Sequence, residues 1–281
     1  MTISELKSKF SNIEKLKVGG QKTVYKVKAE NGKIFALKFI TNASDPRVLQ
    51  EIDIVSKLNI ENVPRIIESG LVYDEQIDEN ILYIIEEYIE GVSLRDWLQA
   101  GNKADLSMAH KILSTLLDVE VTLEKSNILH RDINPNNIIV GTDEKIYLID
   151  FGLAKNLIGN SLTRTTSPHG PFTPGYAPHE QFNNNKLAQD VRTDLFQIGV
   201  TVYEACSGSN PFRENGDSVY EIMTKTMTVV PNALIINGDT KGMFTQLISM
   251  LMAKNQSQRP NTALDAQRYL KAIENSLALE E

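Results

Sequence analysis

The sequence predicts an α+β protein in two parts, a small strand-rich N-terminal part with one main helix and a larger, mostly helical part after it. Three observations lead there: short apolar runs with hairpin signals up to about residue 90, a change of character after Glu90-Gly91, and apolar residues recurring at helical spacing beyond it. A length of 281 residues suits one large domain or two lobes sharing a cleft, and 41% hydrophobic with 23% charged residues argues against a disordered or fibrous chain.

The strands come first. Leu16 to Val18, a Gly19-Gly20 turn, the alternating Thr23 to Lys28, an Asn31-Gly32 hairpin signal and Ile34 to Ile40 read as an antiparallel meander. Asp45-Pro46 then opens a helix to about Leu58, because Val48, Leu49, Ile52, Val55 and Leu58 recur at helical spacing behind an acidic start. Ile66 to Tyr73 and Ile81 to Ile89 are two more strand-like runs around the acidic loop Asp74 to Asn80. Helical patterns follow over Ser93 to Gln99 and Ser107 to Lys125, the second carrying Ile112, Leu113, Leu116, Leu117, Val119 and Leu123. Two short strands, Ile138 to Val140 and Ile146 to Ile149, precede the polar stretch Asn156 to Gly175, and a loop of that length in a compact domain is usually functional. Helical patterns resume from Asp194 to Cys206 and from Ser218 to Tyr269, interrupted at Asn210-Pro211, Pro231 and Arg259-Pro260.

Several function classes are disfavoured at this point. A formal net charge of −7 gives no general pull toward phosphate backbones or anionic lipid, so neither nucleic acid nor a membrane surface is expected as a partner. The single cysteine, Cys206, excludes an intrachain disulfide and reads as a small buried hydrophobe, and the four histidines lack the paired spacing of a zinc site. Met1 to Phe10 lacks the apolar run of a signal peptide, and no later run approaches membrane-spanning length, so a cytoplasmic chain is expected.

The densest polar segment is His130-Arg131-Asp132-Ile133-Asn134-Pro135-Asn136-Asn137, and Asp150-Phe151-Gly152 follows it after one short strand pair. Asp132 can accept a hydroxyl proton, while Asn137 and Asp150 offer the hard oxygen ligands that magnesium takes beside phosphate. Taken singly, each string reads better as an ordinary turn, since Asn-Pro and Phe-Gly both punctuate loops. Together and in this order they closely resemble the catalytic loop and metal-binding motif of protein kinases, a resemblance that runs from about Leu16 to Arg268. It implies a bilobal protein-kinase-like fold, with residues 1–88 as N-lobe, 89–281 as C-lobe and ATP in the cleft. It also implies Asp132 as catalytic base, Asn137 and Asp150 as ligands of Mg²⁺ or of Mn²⁺ in its place, and Arg131 as a clamp for a phosphorylated activation loop.

Upstream, Lys38 sits inside Phe35-Ala36-Leu37-Lys38-Phe39-Ile40, where it must snorkel to solvent or find a countercharge. Its place resembles the kinase strand lysine, and Glu51 resembles the helix glutamate that holds this lysine against the α- and β-phosphates; alone, Glu51 reads as a helix N-terminal charge. The run Lys17 to Val24 keeps part of the family's three-glycine loop, with Gly19, Gly20 and Val24 carrying over and Ala36 beside them, although a bare Gly-Gly hairpin fits as well. Lys22, at the third glycine's place, either contacts phosphate or stiffens the loop. Ile81 to Gly91 is similar to the family's hinge, with Glu87, Tyr88 and Ile89 as the residues whose backbone would pair with adenine. That register puts Glu86 where the family often has an apolar gatekeeper, so either a buried carboxylate has a partner or the register is one residue out.

Thr173 to Glu180 resembles the end of a kinase activation segment, which small-molecule kinases of related fold generally lack. The resemblance implies a buried ion pair between Glu180 and Arg259, Asp194 bracing the catalytic-loop backbone, and Phe151 and Gly152 completing the metal motif. Asn134 departs from the family, which usually carries a lysine there, so slower transfer is expected. Thr173 and the lack of an arginine-rich tyrosine-kinase loop favour Ser or Thr acceptors in a protein substrate. Ser161, Thr163, Thr165, Thr166 and Ser167 crowd the loop before Thr173; polar loop composition explains them, and autophosphorylation bound by Arg131 with Arg164 or Lys155 is the functional alternative.

The chain is thus identified as a Ser/Thr protein kinase, with the style of Tyr176 to Gln181 pointing to bacterial members. A pseudokinase scaffold and a small-molecule kinase are the competing readings. Retention of Lys38, Glu51, Asp132, Asn137 and Asp150 weighs against the first, and Thr173 to Glu180 against the second.

Overall fold

A computed structural model of the chain describes residues 1–18, 22–41, 52, 56–150, 172–183 and 188–279. They divide into two compact units, one drawn from residues 1–90 and the other starting at Gly91. Most of the helix expected from Asp45 to Leu58 falls outside the described residues, as does most of the polar stretch before Thr173.

The first unit opens with a one-turn helix, α1 (Ile3–Lys7), which exists because its ends are satisfied locally. Thr2 Oγ1 accepts the Glu5 amide at 3.2 Å, and the Glu5 carboxylate accepts the Thr2 amide at 2.8 Å, a reciprocal cap. Five antiparallel strands follow among the described residues: β1 (Phe10–Val18), β2 (Lys22–Ala29), β3 (Ile34–Ile40), β4 (Ile66–Asp74) and β5 (Glu79–Glu87), in the spatial order β1-β2-β3-β5-β4.

Strand period two divides the residues between two faces. Val27, Leu37, Phe39, Ile81, Tyr83 and Ile85 share one face with Val72 and bury Leu6 of α1 completely, which by area stabilises by roughly 1.5–3 kcal/mol for such a side chain. The other face of β3 and β5 carries Ala36, Lys38 and Ile40 against Glu86, Ile84 and Leu82, all six buried. The register therefore places a lysine and a glutamate among four buried apolar residues of β3 and β5.

In the second unit, β6 (Gly91–Ser93), β7 (Ile138–Gly141) and β8 (Ile146–Leu148) form a small antiparallel sheet. Among the described residues its helices are α2 (Leu94–Gln99), α3 (Leu106–Lys125), α4 (His179–Phe182), α5 (Val191–Ser207), α6 (Val219–Thr228), α7 (Met243–Leu251) and α8 (Ala263–Ile273). The helical pattern from Ser218 to Tyr269 thus resolves into α6, α7 and α8. Helix α5 is buried on every side, as a helix through the middle of a core must be, and Gly199 lets α7 approach it. A Cβ there would lie 2.8 Å from the Leu251 side chain. Gly208, at φ +84°, ends α5 in the left-handed conformation that glycine adopts without strain. Cys206 is partly buried, and burial pushes its thiol up to about 12. No helix among the described residues is long and apolar enough to cross a membrane.

Candidate active site

The site is built around Asp132. Asn134 caps the 3₁₀ turn Pro135–Asn137, its Oδ1 accepting the Asn136 amide at 3.0 Å, and this fixes the asparagine so that its Nδ2 points back to Asp132. That nitrogen donates to the Asp132 Oδ1 and to the Asp132 carbonyl, each at 2.9 Å. Asn137, at the far end of the same turn, donates through Nδ2 to the Asp132 Oδ2 and to the same carbonyl, again at 2.9 Å. The Thr173 hydroxyl donates to Oδ1 at 2.6 Å. Three side-chain donors therefore hold both carboxylate oxygens, and such charge-assisted bonds are the strong ones.

Behind this loop stands α5. Asp194 accepts the His130 amide at 2.8 Å and the Arg131 amide at 2.7 Å. Gln197, one turn further on the same helix face, accepts the Ile133 amide at 2.7 Å and donates to the Arg131 carbonyl at 3.1 Å. Gln181 of α4 donates to that carbonyl at 2.8 Å and accepts from Gln197 at 2.7 Å. The brace holds Arg131 at φ +62°, and Asp150 has the same φ. Left-handed backbone at non-glycine residues costs about 1–3 kcal/mol each and collects at functional sites.

Two further polar networks fix the surrounding chain. Arg259 donates to Glu180 Oε1 at 2.6 Å, with both side chains almost fully buried, and also binds the carbonyls of Ala253 and Arg192. Arg95 binds Glu204 at 2.7 Å, and Tyr176 bonds to both; burial, and then the Glu204 charge, push its phenol above the ordinary value.

Residues 10–271, which contain this loop and its braces, match the family described as the protein kinase domain. The chain belongs to that family. Among curated relatives, it is 29% identical over 282 residues to the Serine/threonine-protein kinase PknL of Mycobacterium tuberculosis, an alignment covering 98% of this chain and 68% of the relative. It is 30% identical over 222 residues to the Probable serine/threonine-protein kinase PknB of Bifidobacterium longum, covering 77% of this chain and 31% of the relative. With the Serine/threonine-protein kinase PrkC of Bacillus subtilis the identity is 27% over 211 residues, 75% of this chain and 32% of the relative. The aligned part is thus about a third of the length of the last two.

The kinase family implies ATP, a divalent metal and protein substrates. The donor chemistry of this chain fits such a metal. Among the described residues no group of three or more His, Cys, Asp or Glu is placed to hold an ion. Asn137 and Asp150 instead offer one amide oxygen and one carboxylate, the sparse oxygen set of an ion that shares its shell with phosphate and water. The Asn137 nitrogen is spent on Asp132, leaving its Oδ1 for ligation, and the Ile149 amide donates to the Asn137 carbonyl at 2.8 Å, tying the residue before Asp150 to that turn.

In the first unit, Val24 lies opposite Lys38 across β2 and β3, and Ala36 lies opposite Glu86 across β3 and β5. Glu86 is buried and its carboxylate is ion-paired with the Lys38 ammonium, so the partner that a buried glutamate needs is the strand lysine. Glu87 turns its carboxylate to Arg65, with Arg65 Nε at 2.8 Å, and its own amide donates to the Arg65 carbonyl at 3.0 Å. Tyr88 and Ile89 follow the end of β5, and Lys26 Nζ lies 4.3 Å from the Tyr88 ring centroid. Gly19, Gly20, Glu51, Phe151, Gly152, Ser161, Thr163, Thr165, Thr166 and Ser167 lie outside the described residues.

Three contributors are not assigned by the sequence reading. Gln181 and Gln197 bind the loop backbone, and Glu86 binds Lys38. For Gln197 a signal existed, a polar side chain one helical turn beyond Asp194 in an apolar helix.

Proposed function

We propose that this chain transfers the γ-phosphoryl group of Mg-ATP to serine or threonine hydroxyls of protein substrates. The observation that carries the reading is the Asp132 carboxylate, held through both oxygens by Asn134, Asn137 and Thr173 on a loop whose amides are bound by Asp194. In the transfer, a bond forms from the acceptor oxygen to the γ-phosphorus and the bond from that phosphorus to the ADP oxygen breaks. The hydroxyl proton passes to Asp132. Lys38 supplies positive charge to the nucleotide phosphates, and Asn137 with Asp150 would hold the Mg²⁺ that neutralises them. Ala36, Val24 and the backbone of Glu87 to Ile89 are assigned to the base, and Gly19 and Gly20 to the phosphates.

The names of the relatives favour Ser and Thr acceptors, and Thr173 bonded to the catalytic carboxylate supports the same choice. Asn134 stands where the family's lysine usually does and gives Asp132 a neutral donor, which supports transfer at a reduced rate. Autophosphorylation between Ser161 and Ser167, read by Arg131, is proposed as the activating step, and mass spectrometry after incubation with ATP detects it. ATP and free Mg²⁺ are cytoplasmic supplies, and the chemistry is proposed to run there.

The test is incubation with γ-labelled ATP, Mg²⁺ and a generic protein acceptor, followed by phosphoamino-acid analysis. Label on phosphoserine and phosphothreonine is expected, and Asp132→Ala lowers turnover by roughly 10² to 10⁴ while ATP binding persists. Nucleotide binding without any protein labelling, or transfer to a metabolite alone, overturns the reading.

A further inference from the structure

The Lys38–Glu86 pair lies on one face of the sheet, where its neighbours on β3 and β5, Ala36, Ile40, Leu82 and Ile84, are apolar and buried. Across β3 and β5, Lys38 is opposite Ile84 and Glu86 is opposite Ala36, so the two charges are diagonal neighbours on that face. On β2 the residue opposite Lys38 is Val24. The lysine side chain is 5% exposed and the glutamate side chain 11%. The other charged groups that the register puts on this face are Lys22, Lys26 and Lys28 of β2 and, on the edge strand β1, Lys17 opposite Val24 and the exposed Glu14 opposite Lys26, and Lys26 is bonded to Glu90 at 3.2 Å. A buried ammonium in such surroundings is held by its countercharge, and losing a buried partner is costly because the remaining charge stays desolvated.

We infer that Glu86 is a positioning residue for ATP, a carboxylate within the sheet that holds the Lys38 ammonium and from which the nucleotide phosphates must draw it. This rests on the reading of Lys38 as the phosphate-binding lysine. Two anions compete for one ammonium. In the nucleotide-free protein Glu86 stabilises the lysine; when ATP arrives, its phosphates offer the same cation a second anionic partner. The better Lys38 is satisfied beforehand, the less the phosphates gain by meeting it. Whatever other groups touch Lys38, removing this carboxylate raises the free energy of the empty protein and leaves more of the lysine's charge for the nucleotide. Glu86 therefore weakens ATP binding as it orders the lysine, and the two anions are coupled through one ammonium. Couplings between close charge pairs are large enough to read as an affinity change of tenfold or more.

The experiment is titration of Mg-ATP into the whole chain by calorimetry, with the thermal shift on adding ATP as a second measure. Glu86→Met is expected to lower the Kd for ATP about tenfold and to give a larger shift than wild type. Glu86→Gln, which keeps the shape and an acceptor and loses the charge, moves both in the same direction by less, and serves if the methionine variant folds poorly. In a Lys38→Met background the same substitutions leave the Kd unchanged, because the shared cation is gone. Equal or weaker ATP binding by Glu86→Gln overturns the inference, as does an unchanged effect in the Lys38→Met background. A normal Kd response in a chain that labels no protein removes the kinase reading alone; labelling with no Kd response removes this inference alone. A wild-type chain that does not bind Mg-ATP removes both.

Discussion

Asp194 accepts the backbone amide of Arg131 at 2.7 Å, and this bond holds Arg131 in the left-handed region at φ +62°. The same carboxylate takes the His130 amide, so one fully buried side chain sets the direction in which the chain enters Asp132. Burial raises its pKa from 3.8 to about 6, against the lowering effect of the two amide bonds. For stability, protonated Asp194 is the form the fold favours: the contribution is complete below pH 3.8 and is lost as pH rises through about 6. Activity runs the other way, because the ionised carboxylate is the better acceptor of two amides. Turnover of the wild type is expected to fall on the acid side of pH 6. In Asp194→Asn this limb is absent and turnover is low at every pH, by roughly tenfold to a hundredfold for one charged hydrogen bond lost. A pH–rate profile of the two proteins checks this, and a limb near pH 6 in the variant assigns it to another group.

Thr173 reaches Asp132 with a hydroxyl that donates at 2.6 Å. Thr173→Val keeps the shape and removes the donor, so the carboxylate loses one of the three side-chain donors that hold it among the described residues. A hydrogen bond to a charged group is worth about 1.5–3 kcal/mol, which predicts a fall in kcat of roughly tenfold to a hundredfold. Thr173→Ser, which retains the hydroxyl, keeps most of the activity. Steady-state kinetics on the pair distinguishes a lost donor from a lost methyl contact.

The Glu180–Arg259 pair is a stability element. Burial pushes the Arg259 guanidinium below its ordinary value while Glu180 pulls it up, so the cation depends on its partner. Glu180→Gln or Arg259→Gln alone is expected to cost about 3–5 kcal/mol in urea unfolding, and the double variant much less than their sum. Additive losses would mean that the two groups are stabilised separately.

How much of this could be read beforehand depends on where the physical signal lay. Strand β3 occupies Ile34–Ile40 as expected, because an Asn-Gly hairpin signal precedes an apolar run buried on both faces. Strand β1 begins at Phe10, six residues earlier than expected, since an edge strand exposed along nearly all its length shows no apolar alternation. Helix α1 is one turn, too short for periodicity, and its only signal was the spacing of Thr2 and Glu5. Asp132, Asn137, Asp150, Asp194, Glu180 and Arg259 were legible as strings and by resemblance. The tie between Lys38 and Glu86 was not, because it follows from the register of β3 on β5, which pairs residues almost fifty positions apart.

Glu120, on α3, is completely buried, and neither carboxylate oxygen has a hydrogen-bond partner among the described residues. Burial first, then the charges of Asp194 and Glu124, raise its pKa well above 4.5. The fold therefore holds a proton that the unfolded chain releases, so this contribution is present below pH 4.5 and is lost as pH rises through the folded-state value. Methionine has a similar volume, forms helix well and brings no polar atom to satisfy. Glu120→Met is predicted to stabilise the protein by about 1–3 kcal/mol near neutrality, the usual penalty of an unsatisfied buried polar group. The gain is smallest near pH 5 and widens toward pH 9, because folding of the wild type keeps a proton on a carboxyl that ionises in the unfolded chain. Urea unfolding of both proteins at pH 5, 7 and 9 measures it; a gain that stays flat with pH would show that Glu120 binds its proton no more tightly in the fold than in the unfolded chain, and a loss would show that the carboxyl contributes a contact that methionine cannot replace.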